Sequence, residues 1–274
     1  MIIDGNNFIA HHLKNNITFT AGKIGLTELK ILYYYLYNNK AVDNDSLQEG
    51  YINSGIYPIT PETIDYFCKI YIESVKNLDL APQWCGILKE FQRDLYQQLN
   101  PKCYNTQLGD LEPYYFEKPW TKYLEGKRVL VVSPFAKSIE KQHKKLNLIW
   151  NNKITSNFEI DTIKFPFSAG LTTSSMYSSY RECLEKTIDQ ISNMQFDFCI
   201  LGVGAYSLPL CNHIKKMGKS SLHLGGATQV LFGIRGDRWD SINRVKDMYN
   251  DYWVTPDSSE IPEKYKLMEG GCYW

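Results

Sequence analysis

Two glycine-bearing segments of this 274-residue chain have the composition of an anion site: Gly202-Val203-Gly204-Ala205-Tyr206-Ser207 and Gly225-Gly226-Ala227-Thr228. Each follows a short strand-like run, Phe198-Cys199-Ile200-Leu201 and Ser220-Ser221-Leu222-His223-Leu224. Glycine has no Cβ, so backbone amides in such a turn can approach a phosphate closely. The helix that follows aims its free N–H groups at the same anion. Ser133, Ser207 and Thr228 add hydroxyl donors, and Ser133-Pro134-Phe135 forms a third turn of the same kind. A tight turn with capping hydroxyls explains an isolated GxG. Two glycine turns on successive strands leave a phosphate site standing beside that explanation.

The identity of the anion can be narrowed. A dinucleotide fingerprint would read GxGxxG, with an acidic residue about 20 positions on for the ribose. Here Ser207 occupies the third glycine position, and the tip of the next strand offers His223 and Gly225 without a carboxylate. Both departures count against NAD, and the second counts equally against an S-adenosylmethionine-dependent enzyme. No GK[ST] follows a glycine loop, which weakens kinase and ATPase readings. The remaining charged cluster is Arg235-Gly236-Asp237-Arg238-Trp239-Asp240. Arg235 and Arg238 can offset charge on a departing diphosphate. Asp237 or Asp240 can act as base or orient an acceptor hydroxyl. A salt-bridged surface loop accounts for any one of these four as simply, and a lone His223 at a strand end is commonly structural.

Such turns need a scaffold. Arg128-Val129-Leu130-Val131-Val132-Ser133 is a continuous apolar run, as expected of a strand buried on both faces. A helix is predicted over 136–146, a strand over 161–165 and a helix over 177–193. After the strand at 198–201, a helix begins with Pro209 in its first turn and stops at Gly218, following Lys215-Lys216. Strands alternating with helices imply a Rossmann-like parallel sheet with flanking helices. The first half reads as mostly helical: a helix over 28–37, and another opened by Thr60-Pro61 as N-cap and N1. In the latter, Ile64, Phe67, Cys68, Tyr71, Val75 and Leu78 recur at helical spacing. A further helix after Pro82 would place Trp84, Ile87, Leu88, Phe91 and Leu95 on its apolar side. Pro101, Pro113 and Pro119 punctuate the stretch that follows. The compositional boundary near 119–126 divides a mostly helical region, residues 1–120, from a nucleotide-binding layer, residues 121–274.

Thirty basic and thirty acidic residues cancel to a formal net charge of zero. No long-range positive field collects polyphosphate backbones, which argues against nucleic acid as a partner. Lys141, Lys144 and Lys145 read as a solvated helix face. Twenty Tyr, twelve Phe and six Trp suit sugar or base pockets, but a bias towards Asn, Ile, Lys and Tyr codons would enrich Tyr as well. No run approaches the roughly 20 apolar residues of a membrane span, and residues 1–7 lack the basic and apolar regions of a signal peptide. Cys272 stands third from the end, so no prenylation box is present. Cys68, Cys85, Cys103, Cys183, Cys199, Cys211 and Cys272 are scattered singly, without metal or disulfide spacing. The expectation is a cytoplasmic protein with reduced thiols. The sequence leaves oligomeric state open, a homo-oligomer included.

Phe19-Thr20-Ala21-Gly22-Lys23-Ile24-Gly25-Leu26-Thr27-Glu28 resembles the N-terminal R-(F/Y/I)-G-D-G-E segment of glycosyltransferases of the GT-D fold. The stretch 197–226, with its strand, glycine turn, helix and "LGG", looks like that family's late βαβ unit. "VLVVSPF", "GAYSLPL", "HLGGATQVLFGIRG" and "EGGCYW" also resemble proteins associated with polysaccharide biosynthesis. The resemblance implies transfer of a sugar from a nucleoside diphosphate to a glycan or glycoconjugate hydroxyl. It implies that Lys23, Gly25 and the glycine turns hold the donor, that Glu28, Asp237 or Asp240 serves as base, and that Tyr206 or Trp239 stacks on donor or acceptor. Glu28 matches the family's metal-binding glutamate, but Leu26 replaces its aspartate. One carboxylate makes a weak Mg²⁺ or Mn²⁺ site, so Arg235 or Arg238 would take over part of a metal's role. Two other readings stay open: a non-catalytic nucleotide-sugar-binding module, and a different nucleotide-dependent enzyme using S-adenosylmethionine or NAD.

Overall fold

The computed structural model describes residues 2–83, 86, 88–155, 157–167 and 176–274. Seven strands form one sheet: β1 (Thr20–Gly22), β2 (Leu80–Pro82), β3 (Tyr104–Thr106), β4 (Arg128–Ser133), β5 (Glu159–Lys164), β6 (Phe198–Leu201) and β7 (Ser220–His223). Their spatial order is β3-β2-β1-β7-β6-β4-β5, and every pairing is parallel. Parallel neighbours need long crossovers, and helices fill them. This is the Rossmann-like parallel architecture expected from the alternation of periods.

The sequence accounts for the principal elements. In β4, Val129 and Val131 join the core on one face of the sheet, while Leu130 and Val132 join the core on the other. That double burial is why the run is continuously apolar instead of alternating. Among the N-terminal helices are α1 (Gly5–Lys14), α2 (Leu26–Tyr37), α3 (Asn44–Ser54), α4 (Pro61–Lys76) and α5 (Lys89–Leu99). Thr60 caps α4 by accepting from Thr63 N at 3.2 Å, with Pro61 in the first turn. Asp43 caps α3 in the same way at 2.9 Å from Ser46 N. Ile64, Phe67, Cys68, Tyr71 and Val75 on α4 are all buried in one core.

In the second half, α6 (Ala136–His143) ends three residues before the predicted boundary, and a separate short helix, Leu146–Ile149, follows. Helices Tyr180–Ser192 and Ser207–Lys216 lie close to expectation. The N-terminal half differs more. Residues 1–120 supply β1, β2 and β3 to the same sheet as well as helices. Each of these strands is three residues long, too short for a period-2 pattern to register. Helix α5 starts at Lys89, while Trp84, Cys85 and Ile87 lie outside the described residues. The six described cysteines are free thiols, five of them buried. No helix among the described residues is long and apolar enough to cross a membrane.

The sheet order sets up the site. At the carboxyl edge the tips of β1, β7, β6 and β4 stand side by side, although β1 and β4 are more than 100 residues apart in sequence. The chain leaves β1 towards β2 on one side and leaves β4 towards β5 on the other. Connections diverging in this way open a crevice above the sheet, where open α/β folds bind ligands.

Candidate functional site

A cavity of about 490 Å³ occupies that crevice. Its floor is made by the strand tips: Lys23 and Gly25 after β1, His223, Gly225 and Gly226 after β7, Gly202 and Gly204 after β6, and Ser133 and Pro134 after β4. Leu26, Thr27 and Glu28 from the first turn of α2 form one wall, with Glu49, Asn53 and Ser54 of α3 beyond them. Arg238, Met268, Glu269 and Tyr273 complete the lining, and Glu269 N donates to Asn53 Oδ1 at 3.3 Å.

The two glycine turns pack against each other. A Cβ at Gly202 would lie 2.9 Å from the Gly225 carbonyl oxygen and 2.9 Å from Thr228 Oγ1, so only glycine permits this approach. Gly225 has φ +67°, in the left-handed region that glycine adopts without strain. Thr228 is 2 % exposed, yet its Oγ1 has no hydrogen-bond partner among the described residues. A buried hydroxyl left unpaired costs about 1–3 kcal/mol, and an incoming acceptor oxygen would relieve it. Ser133 Oγ accepts from Phe135 N at 3.2 Å, holding the third turn.

Charge at the site is mixed and strongly coupled to burial. Lys23 Nζ lies 3.3 Å from where a Gly225 Cβ would be, directly over that turn. Burial pulls the Lys23 ammonium below its ordinary range; Glu112 and Glu28 oppose this, and Arg238 adds to it. Burial raises the Glu28 carboxyl above the usual carboxylate range, against its own backbone N–H, the Ser54 hydroxyl and Lys23. His223, 4 % exposed, is pushed down to about 3 by burial, and Lys23 adds to the shift. It is therefore a neutral imidazole at physiological pH. Its Nδ1 lies 3.3 Å from the Leu201 carbonyl oxygen, so Nδ1 is the donor nitrogen and Nε2 the acceptor. Arg238 donates to Tyr273 Oη at 3.0 Å and to Glu269, with its guanidinium 4.5 Å from the centre of the Tyr273 ring.

Of the residues selected from sequence, Lys23, Gly25, Glu28, Ser133, Gly202, Gly204, His223, Gly225, Gly226, Thr228 and Arg238 all line this one cavity. Others lie elsewhere. Tyr206 is fully buried against Tyr180 and Phe165, with its hydroxyl donating to Gly55 O at 2.8 Å. Ser207 is fully buried, and its Oγ accepts from Val203 N at 3.1 Å, which braces the turn from behind. Arg235 pairs with Asp240 at 3.4 Å and lies over the Tyr249 ring, whose hydroxyl donates to Asp240 at 2.9 Å. That is the salt-bridged arrangement, outside the cavity lining. Asp237 is solvent-exposed. Trp239 is buried, donating from Nε1 to Gln229 at 3.2 Å.

Sequence reasoning did not select Glu49, Asn53 and Ser54 on α3, the Phe135–Phe167 pair, or Glu269 and Tyr273. Only the aromatic richness of the chain hinted at the pair. The α3 residues reach the cavity because α3 packs on α2, a tertiary contact with no local signature.

The donor set does not fit a divalent cation. Among the described residues no three His, Cys, Asp or Glu side chains come together. Near Glu28, Leu26 lines the cavity with an apolar side chain that is 48 % exposed. The cationic groups over the glycine turns are Lys23 and Arg238.

No protein-family model matches the chain, and no curated protein matches it. A solved structure described as a selenomethionine-substituted domain of unknown function 1792 is similar, with 13% identity over 81% of this chain and 82% of that one and a TM-score of 0.36.

Proposed function

We propose that the chain transfers a glycosyl group from a nucleoside-diphosphate sugar to an acceptor hydroxyl. The observation that carries this reading is the convergence of two apposed glycine turns, Lys23, Arg238 and the unpaired Thr228 hydroxyl on one cavity. The Gly202 and Gly225 amides donate to Val132 O at 3.0 Å and Leu201 O at 3.1 Å, so the groups that suit a diphosphate are the two cations and the Thr228 hydroxyl. A volume of about 490 Å³ lies within the range of small-molecule sites.

In the proposed reaction the bond between the sugar anomeric carbon and the diphosphate oxygen breaks, and the diphosphate leaves with the electron pair. Lys23 and Arg238 offset the charge that develops on it. The acceptor oxygen bonds to the anomeric carbon, and its proton passes to the Glu28 carboxylate. Burial raises the proton affinity of Glu28 above that of an ordinary carboxylate, which makes it the stronger base once ionised. His223, neutral with Nε2 as acceptor, orients a hydroxyl without adding charge. No step passes through a metal ion.

Leu26 at the rim favours a second reading, a nucleotide-sugar-binding module that has lost turnover. Incubating the chain with UDP- and GDP-sugars, with and without Mn²⁺, separates the two. Transfer predicts thermal stabilisation by a nucleoside diphosphate, consumption of the donor, and loss of turnover in Glu28→Gln with binding retained. A binding module predicts stabilisation without consumption. Stabilisation by S-adenosylmethionine or NAD, with none by UDP or GDP, would refute both.

A further inference from the structure

Arg238 lies over the second glycine of the β7 turn: a Cβ at Gly226 would come within 3.6 Å of Arg238 Nη1. Its guanidinium is already engaged by protein groups. Nη1 donates to Tyr273 Oη at 3.0 Å, and Nη2 donates to the carboxylate of Glu269, which also lines the cavity. About a third of each side chain of the Arg238–Glu269 ion pair is exposed. The chain itself thus supplies a carboxylate to a cation that the ligand's phosphates would use.

The backbone that carries Glu269 is strained. Glu269 has φ +44°, and Gly270 and Gly271 follow at +70° and +82°, so three successive residues lie in the left-handed region. Glycine adopts it freely, but an L side chain does so at a cost. Two contacts hold Glu269 there: its N–H donates to Asn53 Oδ1 at 3.3 Å, and its carboxylate meets Arg238. The residues after the glycines are fixed separately. Arg238 N donates to Cys272 O at 2.8 Å, Gln229 Nε2 to Tyr273 O at 2.8 Å, and Asp237 N to Trp274 O at 3.2 Å. The partly exposed carboxylate can therefore rotate off Arg238 towards solvent while these residues stay in place. Tyr273, uncharged and with its ring centre 4.5 Å from the guanidinium, keeps Arg238 over the turn.

Resting on the anion site of the proposed function, we infer that Glu269 is an internal competitor for the ligand's diphosphate: its carboxylate occupies Arg238, and an anion gains that guanidinium only by displacing it. Carboxylate and phosphate are bound by the same fork of N–H donors. A phosphate on Arg238 beside an undisplaced Glu269 would bring two like charges together. Apparent affinity is then reduced by the fraction of molecules in which Arg238 is released. The factor is common to every anion that uses Arg238, and it disappears when Arg238 does.

Calorimetric titration of the full chain with pyrophosphate, and with UDP or GDP (whichever binds tighter), tests this. Glu269→Gln, which removes the charge and keeps the size, should bind both probes about fivefold more tightly, the most that a half-exposed ion pair supplies. Glu269→Asn, a residue that tolerates left-handed backbone, should tighten binding as much and guards against a disturbed loop in the first variant. In an Arg238→Gln background the effect of Glu269→Gln should fall below about twofold, or both forms should fail to bind, because no guanidinium remains to be released. Equal tightening in both backgrounds overturns the inference and leaves Glu269 a general repulsive charge. Unchanged or weaker binding in both Glu269 variants overturns it too, while the proposed function stands. If neither the unaltered chain nor either Glu269 variant binds any probe, the proposed function itself falls, and the inference with it.

Discussion

At Gly202 a single methyl group has no direction in which to escape. The atoms it meets at 2.9 Å are a backbone carbonyl and a buried hydroxyl, not the end of a flexible side chain. Gly202→Ala should therefore push the two turns apart, costing about 1–3 kcal/mol in urea unfolding and lowering nucleotide affinity at least tenfold by titration. Unchanged affinity would show that the turns need not touch. His223 makes a second prediction, in pH. In the unfolded chain its imidazole titrates near the ordinary 6.5, while in the folded protein burial holds it down to about 3. Between those values the unfolded chain binds a proton that the folded one refuses. Its contribution is thus intact above pH 6.5 and is lost as pH falls, at about 1.4 kcal/mol per unit until the folded group titrates. Glu28, shifted up by burial, has the opposite sign: its contribution is present at low pH and lost as pH rises through its folded value. Comparing urea midpoints of the wild type and His223→Gln from pH 4 to 7 isolates the histidine. The two curves should diverge towards acid, and parallel curves would exclude the shift.

Among the elements, the turn after β6 is tied to α3. The Tyr206 hydroxyl donates to the carbonyl of Gly55, the left-handed residue that ends α3, while Ser54, one residue earlier, lines the cavity. Tyr206→Phe should cost about 1–2 kcal/mol, the price of an unsatisfied buried carbonyl, yet leave nucleotide binding within about twofold, because the ring lies in the core. Denaturation and titration of one sample decide it: strongly reduced binding with unchanged stability would return Tyr206 to the role of a ligand contact. The position of Tyr206 also shows what the sequence could and could not convey. Its place in a glycine turn was legible. Its direction was not, because a one-residue difference in a tight turn separates a side chain facing the cavity from one facing the core. Strands β4 and β6 were legible because they are buried on both faces and read as apolar runs, whereas β7, Ser220-Ser221-Leu222-His223, was marked by its place between Gly218 and Gly225. Strands β1, β2 and β3 were not, since Thr20-Ala21-Gly22 and Tyr104-Asn105-Thr106 are set by partner strands and not by local propensity.

For the whole molecule, the charge balance decides how a ligand is captured. Thirty acidic and thirty basic residues produce no net monopole, so under the proposed function the attraction of an anion is assigned to Lys23 and Arg238 inside the crevice. Such contacts are short-ranged and partly shielded from counter-ions. An extended basic surface that collects a polyphosphate releases many condensed ions, and its affinity collapses as salt rises. For this chain, raising NaCl from about 50 to about 200 mM should change nucleotide Kd by about threefold or less, where an extended phosphate-binding surface loses on the order of a thousandfold. Association rates should be as insensitive, since steering depends on a long-range field. Stopped-flow and equilibrium titrations across that range measure both. A steep fall in affinity would mean that charges far outside the cavity take part in binding. The same local character explains why the site drew so little notice in composition: its two cations are outnumbered by twenty-eight others elsewhere in the chain, and only the sheet order, which sets the β1 tip next to β7, brings Lys23 to the glycine turn some 200 residues later.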